Sequence, residues 1–255
     1  MLSRAILEAG LELVAAHLSD GTSGNVSVRR SDSTMVITPS SLDFRLVTEF
    51  DLVEIDLNTE ETRGRRRPSS EWRLHATIYR KRPDVQAVVH HHGPWSTAAA
   101  VARVVIPVVV DEAADIGPIP TARYAPSASE ELAEIVSDCL CQGNNAVLLA
   151  NHGVVVVGHG LSEAMRRAKE VERSSQIYAA AGWLGGAHAL DDDAVATSRK
   201  FFEGYRDRPR DDEYFAHAAR SAAHVTVLDL VNFGFRAGTT FSSLVQALVV
   251  QKLQR

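Results

Sequence analysis

Apolar residues follow two rhythms along this chain, and the switches between them mark out its elements. Leu7, Leu11, Val14 and Leu18 recur at helical spacing and predict a first helix over about residues 2–18. It stops in Ser19-Asp20-Gly21-Thr22-Ser23-Gly24-Asn25, a loop of glycine and small polar residues. Val26-Ser27-Val28 and Met35-Val36-Ile37-Thr38 predict a strand pair, ended by Pro39-Ser40-Ser41. Leu52 to Leu57 alternates as a further strand. A basic turn, Arg63 to Pro68, then leads through Ser69-Ser70-Glu71-Trp72 into a helix that ends at Lys81, since Pro83 cannot continue it.

The second half repeats these rhythms more strongly. Val85 to Val89 and Ala146 to Ala150 are short apolar runs of buried-strand length, and Val154 to Val157 is another. Val104 to Val110 reads as a strand with Pro107 inside it, which places it at an edge or a bulge. Ser127 and Glu130 form an S-x-x-E capping box that opens a helix through Leu132, Ile135, Val136 and Leu140. Leu161 to about Gly182 is the strongest helix, with Ala164, Ala168, Val171 and Tyr178 on one face. From Asp191 the chain turns polar, and Arg206 to Glu213 reads as a solvated linker. An apolar tail follows from Val225, with Leu244, Val245, Leu248 and Val249 at helical spacing. The division expected is 1–190 as the catalytic domain and 191–255 as a C-terminal extension of unknown role.

Composition narrows the class. With 255 residues, 45% hydrophobic and 23% charged, the chain is ordinary globular material. A net charge of −5 argues against nucleic acid or an anionic membrane as partner. No run of about 18 apolar residues predicts a membrane span, and the amphipathic N-terminus lacks a secretory core, so a soluble, cytoplasmic protein is expected. Cys139 and Cys141 diverge on a helix and read as packing residues, neither bridged nor chelating.

The chemistry lies in His90-His91-His92. On a strand, His90 and His92 point to one face, roughly 6–7 Å apart at Cβ, and His91 points to the other. His152, in Asn151-His152-Gly153, stands at the end of a second strand. Three neutral imidazoles with one further position form a catalytic zinc arrangement. Glu71, at a helix start, is a candidate fourth ligand and proton carrier; the helix dipole alone also favours an acid there. Ser69 and Ser70 offer hydroxyls and free N–H groups to an anion, or simply cap the helix. Gly21 to Asn25 permits close approach to an anion, or is a plain turn. His75 and His91 read as structural.

Five blocks in order carry a resemblance: Gly21-Thr22-Ser23-Gly24-Asn25, Thr38-Pro39-Ser40, Pro68-Ser69-Ser70-Glu71-Trp72, Val88-Val89-His90-x-His92 and Asn151-His152-Gly153. Over about residues 5–185 the chain resembles the class II aldolase/adducin family, most closely its L-fuculose-phosphate aldolase branch. The resemblance implies a three-layer α/β/α sandwich around a mostly antiparallel central sheet. It implies one Zn2+ per chain on His90, His92 and His152, with Glu71 as fourth ligand and catalytic acid/base. Thr22, Asn25, Ser40, Ser41, Ser69 and Ser70 would hold a substrate phosphate, and the assembly would be a homotetramer with the site at a subunit boundary. The activity implied is cleavage of a phosphorylated ketose to dihydroxyacetone phosphate and an aldehyde through a metal-stabilised enediolate.

Departures from the branch bear on the aldehyde end. Asp111, followed by Glu112, stands where its members carry a tyrosine, and Ser127 comes after Tyr124-Ala125 where they carry a phenylalanine. Asp111, Tyr205 and Tyr214 are the candidate replacements. A decarboxylase of a phosphorylated keto acid stays open, because Leu148 to Gly153 also resembles that branch. A 4-epimerase usually has aspartate in place of Glu71, and a non-enzymatic adducin-like domain would lack the histidine trio.

Overall fold

The computed structural model describes residues 2–206, with side chains through residue 202. The chain divides into two units, Met1–Phe202 and Glu203–Arg255, and the first holds the sheet and the site. The linker-like run beyond Arg206, the apolar tail and Tyr214 lie outside the described residues, as does the side chain of Tyr205.

Helix α1 (Leu2–Ala15) precedes four strands, β1 (Asn25–Ser31), β2 (Thr34–Ile37), β3 (Val53–Asp56) and β4 (Thr62–Arg63). Next come α2 (Trp72–Lys81), β5 (Ala87–His91), α3 (Pro94–Ala102), β6 (Thr121–Ala122) and α4 (Glu130–Cys141). The described chain closes with β7 (Ala146–Leu149), β8 (Gly153–Gly158), α5 (Leu161–Trp183) and α6 (Asp192–Arg206). Among the described residues the strands form one sheet in the order β4-β3-β2-β1-β5-β8-β7-β6. All neighbours are antiparallel except β6 and β7.

Strand alternation builds the layers. Val26, Val28, Val89, Val154 and Val156 face one way, against Ile6 and Leu13 of α1, Ala100 of α3, and Ala164, Ala168 and Val171 of α5. Val88, Val155 and Val157 face the other way, against Leu74 and Ile78 of α2 and Leu132, Val136 and Leu140 of α4. Apolar area on both faces is removed from water, which is the main force holding the sandwich together. The three-layer architecture around a mostly antiparallel sheet is the one the resemblance implied.

Several local expectations need correction. Val104 to Val110 is not a strand; it makes a single bridge, Ile106 with Ile119, because Pro107 has no N–H to extend a ladder. The first helix ends at Ala15, where His17 takes φ 58° and the Leu18 N–H turns back to Leu13 O at 2.8 Å. The N-cap of α4 is Ser129, whose Oγ accepts from Leu132 N; Ser127 does not serve. Cys139 and Cys141 are both free, and only Cys139 packs, since Cys141 is exposed. Helices α3 and α6 went unread, α3 being alanine-rich without a marked stripe and α6 lying in the polar stretch.

Candidate active site

Backbone pairing brings the histidines together. Asn25 of β1 lies opposite His90, and Val155 of β8 flanks it on the other side, so His90 stands on a central strand. His91 points to the α1–α3–α5 side and His90 to the α2 side, as alternation requires. His92 follows the strand, with its N–H on Leu18 O at 2.9 Å. His152 sits in the β7–β8 turn, where Asn151 takes φ 60° and His152 N bonds Leu149 O. Two glycines make this crowding feasible. A Cβ at Gly24 would meet His90 O at 2.5 Å, and one at Gly153 would meet His91 O at 2.6 Å and His92 Cδ2 at 2.7 Å. Glu172 of α5 fixes the residues after His92, accepting from Trp95 N and from the N–H and hydroxyl of Ser96.

The three rings form a near-equilateral triangle, with centroids 4.7, 4.8 and 5.0 Å apart. One ligand atom from each lies within 4.8 Å of the others. His90 Nδ1 is 2.9 Å from Val154 O, a group that only accepts, so this nitrogen carries hydrogen and Nε2 is bare in the neutral ring. That bare Nε2 stands 2.9 Å from His92 Nε2 and 2.9 Å from Glu71 Oε2. His152 Nε2 is 3.6 Å from Glu71 Oε1. Lone pairs and a carboxylate therefore converge on one point, and a positive charge between them removes the repulsion. Glu71 Oε1 and His152 Nδ1 are moreover buried without a hydrogen-bond partner. The donor set fits a divalent cation, and the Val154 carbonyl supplies the outer contact that fixes a ligating imidazole.

Electrostatics follow from this convergence. Burial alone raises the Glu71 carboxyl, but the facing His90, then His152 and the Asn25 amide, outweigh it and hold the group well below the usual range. Burial lowers His90, yet the Glu71 carboxylate outweighs it and the net direction is upward. His92 is lowered to about 4 by burial and then by the charges of its two companions. His152 is lowered by burial and then by His90.

Glu71 is the N-cap residue of α2 and only 7% exposed, one position ahead of the expected first turn. Ser69 is buried, its Oγ accepting from Glu71 N, and Ser70 is exposed. Pro39 and Pro68 form a bridge, and Ser69 N donates to Thr38 O, which brings the Ser40-Ser41 turn beside Ser69-Ser70. The Ser40 and Ser41 hydroxyls are 3.2 Å apart. Asn25 instead turns to Glu71, with Nδ2 3.3 Å from Oε2. In the glycine loop, Thr22 N, Ser23 N and the Thr22 hydroxyl all donate to Asp20 Oδ1. His75 and His91 are fully buried. Asp111 and Ser127 are exposed, and Asp111 accepts from Ser198 Oγ at 2.8 Å. Sequence reasoning missed the supporting residues Gly24, Gly153 and Glu172; the glycines stand inside two of the quoted motifs, whereas nothing in the pattern marks Glu172.

The Class II Aldolase and Adducin N-terminal domain family matches residues 4–179. Over 179 residues the chain is 40% identical to the L-fuculose phosphate aldolase of Escherichia coli strain K12, covering 69% of this chain and 82% of that protein. It is 38% identical over 179 residues to the 5-methylthioribulose-1-phosphate/5-deoxyribulose-1-phosphate aldolase of Rhodospirillum rubrum, covering 69% and 80%. A solved L-fuculose 1-phosphate aldolase superposes with a TM-score of 0.75 at 34% identity, over 79% of this chain and 96% of that one. In sequence and in fold, the chain is therefore a member of the class II aldolase and adducin family, of the aldolase kind, a carbon–carbon lyase.

Proposed function

We propose that this chain is a zinc-dependent aldolase that cleaves a ketose 1-phosphate to dihydroxyacetone phosphate and an aldehyde. The observation that carries the reading is the convergence on one point of His90, His92, His152 and the Glu71 oxygen that makes no hydrogen bond. His90, His92 and His152 would hold the ion, with Glu71 as fourth ligand. When bound there, a divalent cation polarises the ketose carbonyl and offsets the negative charge that builds on its oxygen.

The chain's own residues divide the remaining work. Thr22, Asn25, Ser40, Ser41, Ser69 and Ser70 form the phosphate end, the four serines brought together by the Pro39–Pro68 bridge and Asn25 joining them by giving up its contact with Glu71. In cleavage, the C4 hydroxyl gives its proton to the Glu71 carboxylate as the bond between C3 and C4 breaks, the aldehyde carbonyl forms at C4, and the bond's electron pair stays on C3. Glu71 supplies the proton that C3 then takes, and in the condensing direction removes it again. Its carboxyl is held well below the usual range by the facing imidazoles, so it is ionised at rest and ready to accept. The same reading makes the assembly a homotetramer in the cytoplasm, with a neighbour completing the aldehyde end near exposed Asp111 and Ser127. No helix among the described residues is long and apolar enough to cross a membrane.

The test is metal analysis joined to release of dihydroxyacetone phosphate, with fuculose 1-phosphate and 5-deoxyribulose 1-phosphate tried first. Glu71→Gln is expected to keep the ion and lose on the order of 100-fold or more in kcat. Turnover equal to the parent removes Glu71 from the proton step, and release of carbon dioxide from a phosphorylated keto acid replaces the aldolase reading with a decarboxylase.

A further inference from the structure

Behind the histidine triangle, α2 and β1 are joined by a run of polar contacts that the proposed reaction does not use beyond Glu71 and Asn25. Glu71, His75 and Tyr79 are four residues apart and lie along one side of the helix, about 6 Å per step. Asn25, Ser27 and Arg29 are two apart and share one face of the strand, about 6.8 Å per step. The two spacings nearly match, so the residues meet rung by rung. Asn25 Nδ2 meets Glu71 Oε2 at 3.3 Å, and Ser27 Oγ meets His75 Nδ1 at 2.6 Å and the Tyr79 hydroxyl at 2.9 Å. Arg29 ends the series, donating to Tyr79 O and lying over the Tyr79 ring.

The hydroxyls set the direction of the middle rung. With Ser27 as the side-chain partner of the buried Tyr79 hydroxyl, the phenol donates to Ser27, because a buried O–H without an acceptor is costly. Ser27 then donates to His75 Nδ1, and the His75 hydrogen resides on Nε2. That Nε2 is buried with no partner, and Glu71 Oε1, one helical turn away, makes no hydrogen bond either, its nearest polar neighbour being His152 Nε2 at 3.6 Å, so one side of that oxygen is open. Helical side chains lean toward the N-terminus, which for His75 is the direction of Glu71. The two unpaired atoms are a donor and an acceptor.

We propose that His75 is a positioning residue for Glu71, its Nε2–H held toward the free side of the carboxylate through one buried water, so that Glu71 stays aimed at the histidine triangle. The inference rests on the assignment of Glu71 above. Burial holds the His75 ring neutral, lowered to about 3, as a steady donor requires. Ser27 fixes one edge of the ring and the Tyr79 hydroxyl fixes Ser27.

The test uses the full chain, with His75→Leu, His75→Gln and Ser27→Ala, and reads both zinc affinity and retro-aldol kinetics. Outer contacts of this kind carry about 10- to 100-fold in metal affinity or activity. His75→Leu is therefore expected to weaken zinc binding and lower kcat by about that factor, with KM changed by less than about threefold. His75→Gln, whose amide N–H replaces the Nε2–H, is expected to recover most of both. Wild-type zinc affinity and kcat in His75→Leu overturn the proposal, as does a glutamine variant no better than leucine. Should His75→Leu fail to fold, Ser27→Ala decides: a several-fold loss in both readouts supports the relay, and wild-type values overturn it. Zinc affinity needs no substrate, so loss of zinc in these variants beside a parent inactive on every ketose phosphate would sink the aldolase reading and leave the positioning role standing.

Discussion

The two ends of the candidate site are built on opposite terms. At the histidine end, buried polar atoms lack partners: Glu71 Oε1, His152 Nδ1 and Asn25 Oδ1. At the glycine loop, the amides of Thr22 and Ser23 and the Thr22 hydroxyl are already engaged by Asp20, on the exposed side of the protein. A buried group left unpaired costs free energy, so its persistence points to something absent that pairs it. A loop that satisfies itself points to nothing beyond its own shape. The metal end therefore announces its ligand through geometry, while the phosphate end rests on likeness to relatives and on four clustered serines.

The sharpest way to break this comparison is to disturb the crowded end without touching a ligand. Gly153 has no room for a Cβ, which would press on the His91 carbonyl and the His92 ring. Gly153→Ala is expected to displace His92 and lower kcat by about 100-fold, the cost typical of a misplacement near 1 Å. Zinc affinity should fall with it. Gly182→Ala is the control, since nothing lies within 4 Å of a Cβ there. Equal activity in the two variants would mean that the triangle tolerates movement and that its tight geometry carries no catalytic weight.

The ends also answer differently to acid. His75, on the buried side, has its ring lowered to about 3 by burial. The unfolded chain takes up that proton below about pH 6.5 and the folded chain does not, so stability falls as pH falls from there. Between pH 6.5 and 5 the loss is about 2 kcal/mol from this group. Asp20 is lowered to about 2 by the amides of Thr22 and Ser23. Its contribution is present above about pH 4, is lost as pH falls toward 2, and is small because the group is exposed. Urea unfolding across pH in the presence of a chelator should show the first slope, to which buried His91, lowered likewise, also contributes, and His75→Gln should make it shallower by the share of His75. Identical slopes in parent and variant would mean that His75 is charged in the folded protein.

How much was legible beforehand follows the same divide. Strict alternation made His90 and His92 readable as a pair and His91 as the odd one out. Val26, Val88, Val154 and their neighbours showed the strands, because a buried sheet demands unbroken apolar runs. Helix α3 escaped because only Ser96 and Ala100 of Pro94–Ala102 are buried, too few to mark a stripe; Pro94 at its first turn was the usable signal. The apolar run at Val104 to Val110 misled because hydrophobicity alone cannot say whether Pro107 leaves a ladder intact. Contacts between distant segments, such as Glu172 on the start of α3 or His75 on Ser27, have no periodic trace at all. They depend on how whole layers meet.

The smallest effect tests the loop end itself. Asp20→Asn keeps the side-chain oxygen that accepts from Thr22 N and Ser23 N, so the turn survives, but removes one negative charge. If the substrate phosphate sits against Thr22 and Asn25, it lies near that carboxylate and is repelled by it. At about 6 Å in a watery setting one charge pair is worth about 0.7 kcal/mol, so KM for a ketose 1-phosphate should fall about threefold, with kcat unchanged. Added salt should erase the difference, because exposed charges are screened. An unchanged KM at low salt would move the phosphate away from this loop and leave Ser40, Ser41, Ser69 and Ser70 to hold it. The comparison would then tighten: the glycine loop would serve only to bring Gly24 against His90, and both ends of the site would answer to the histidine triangle.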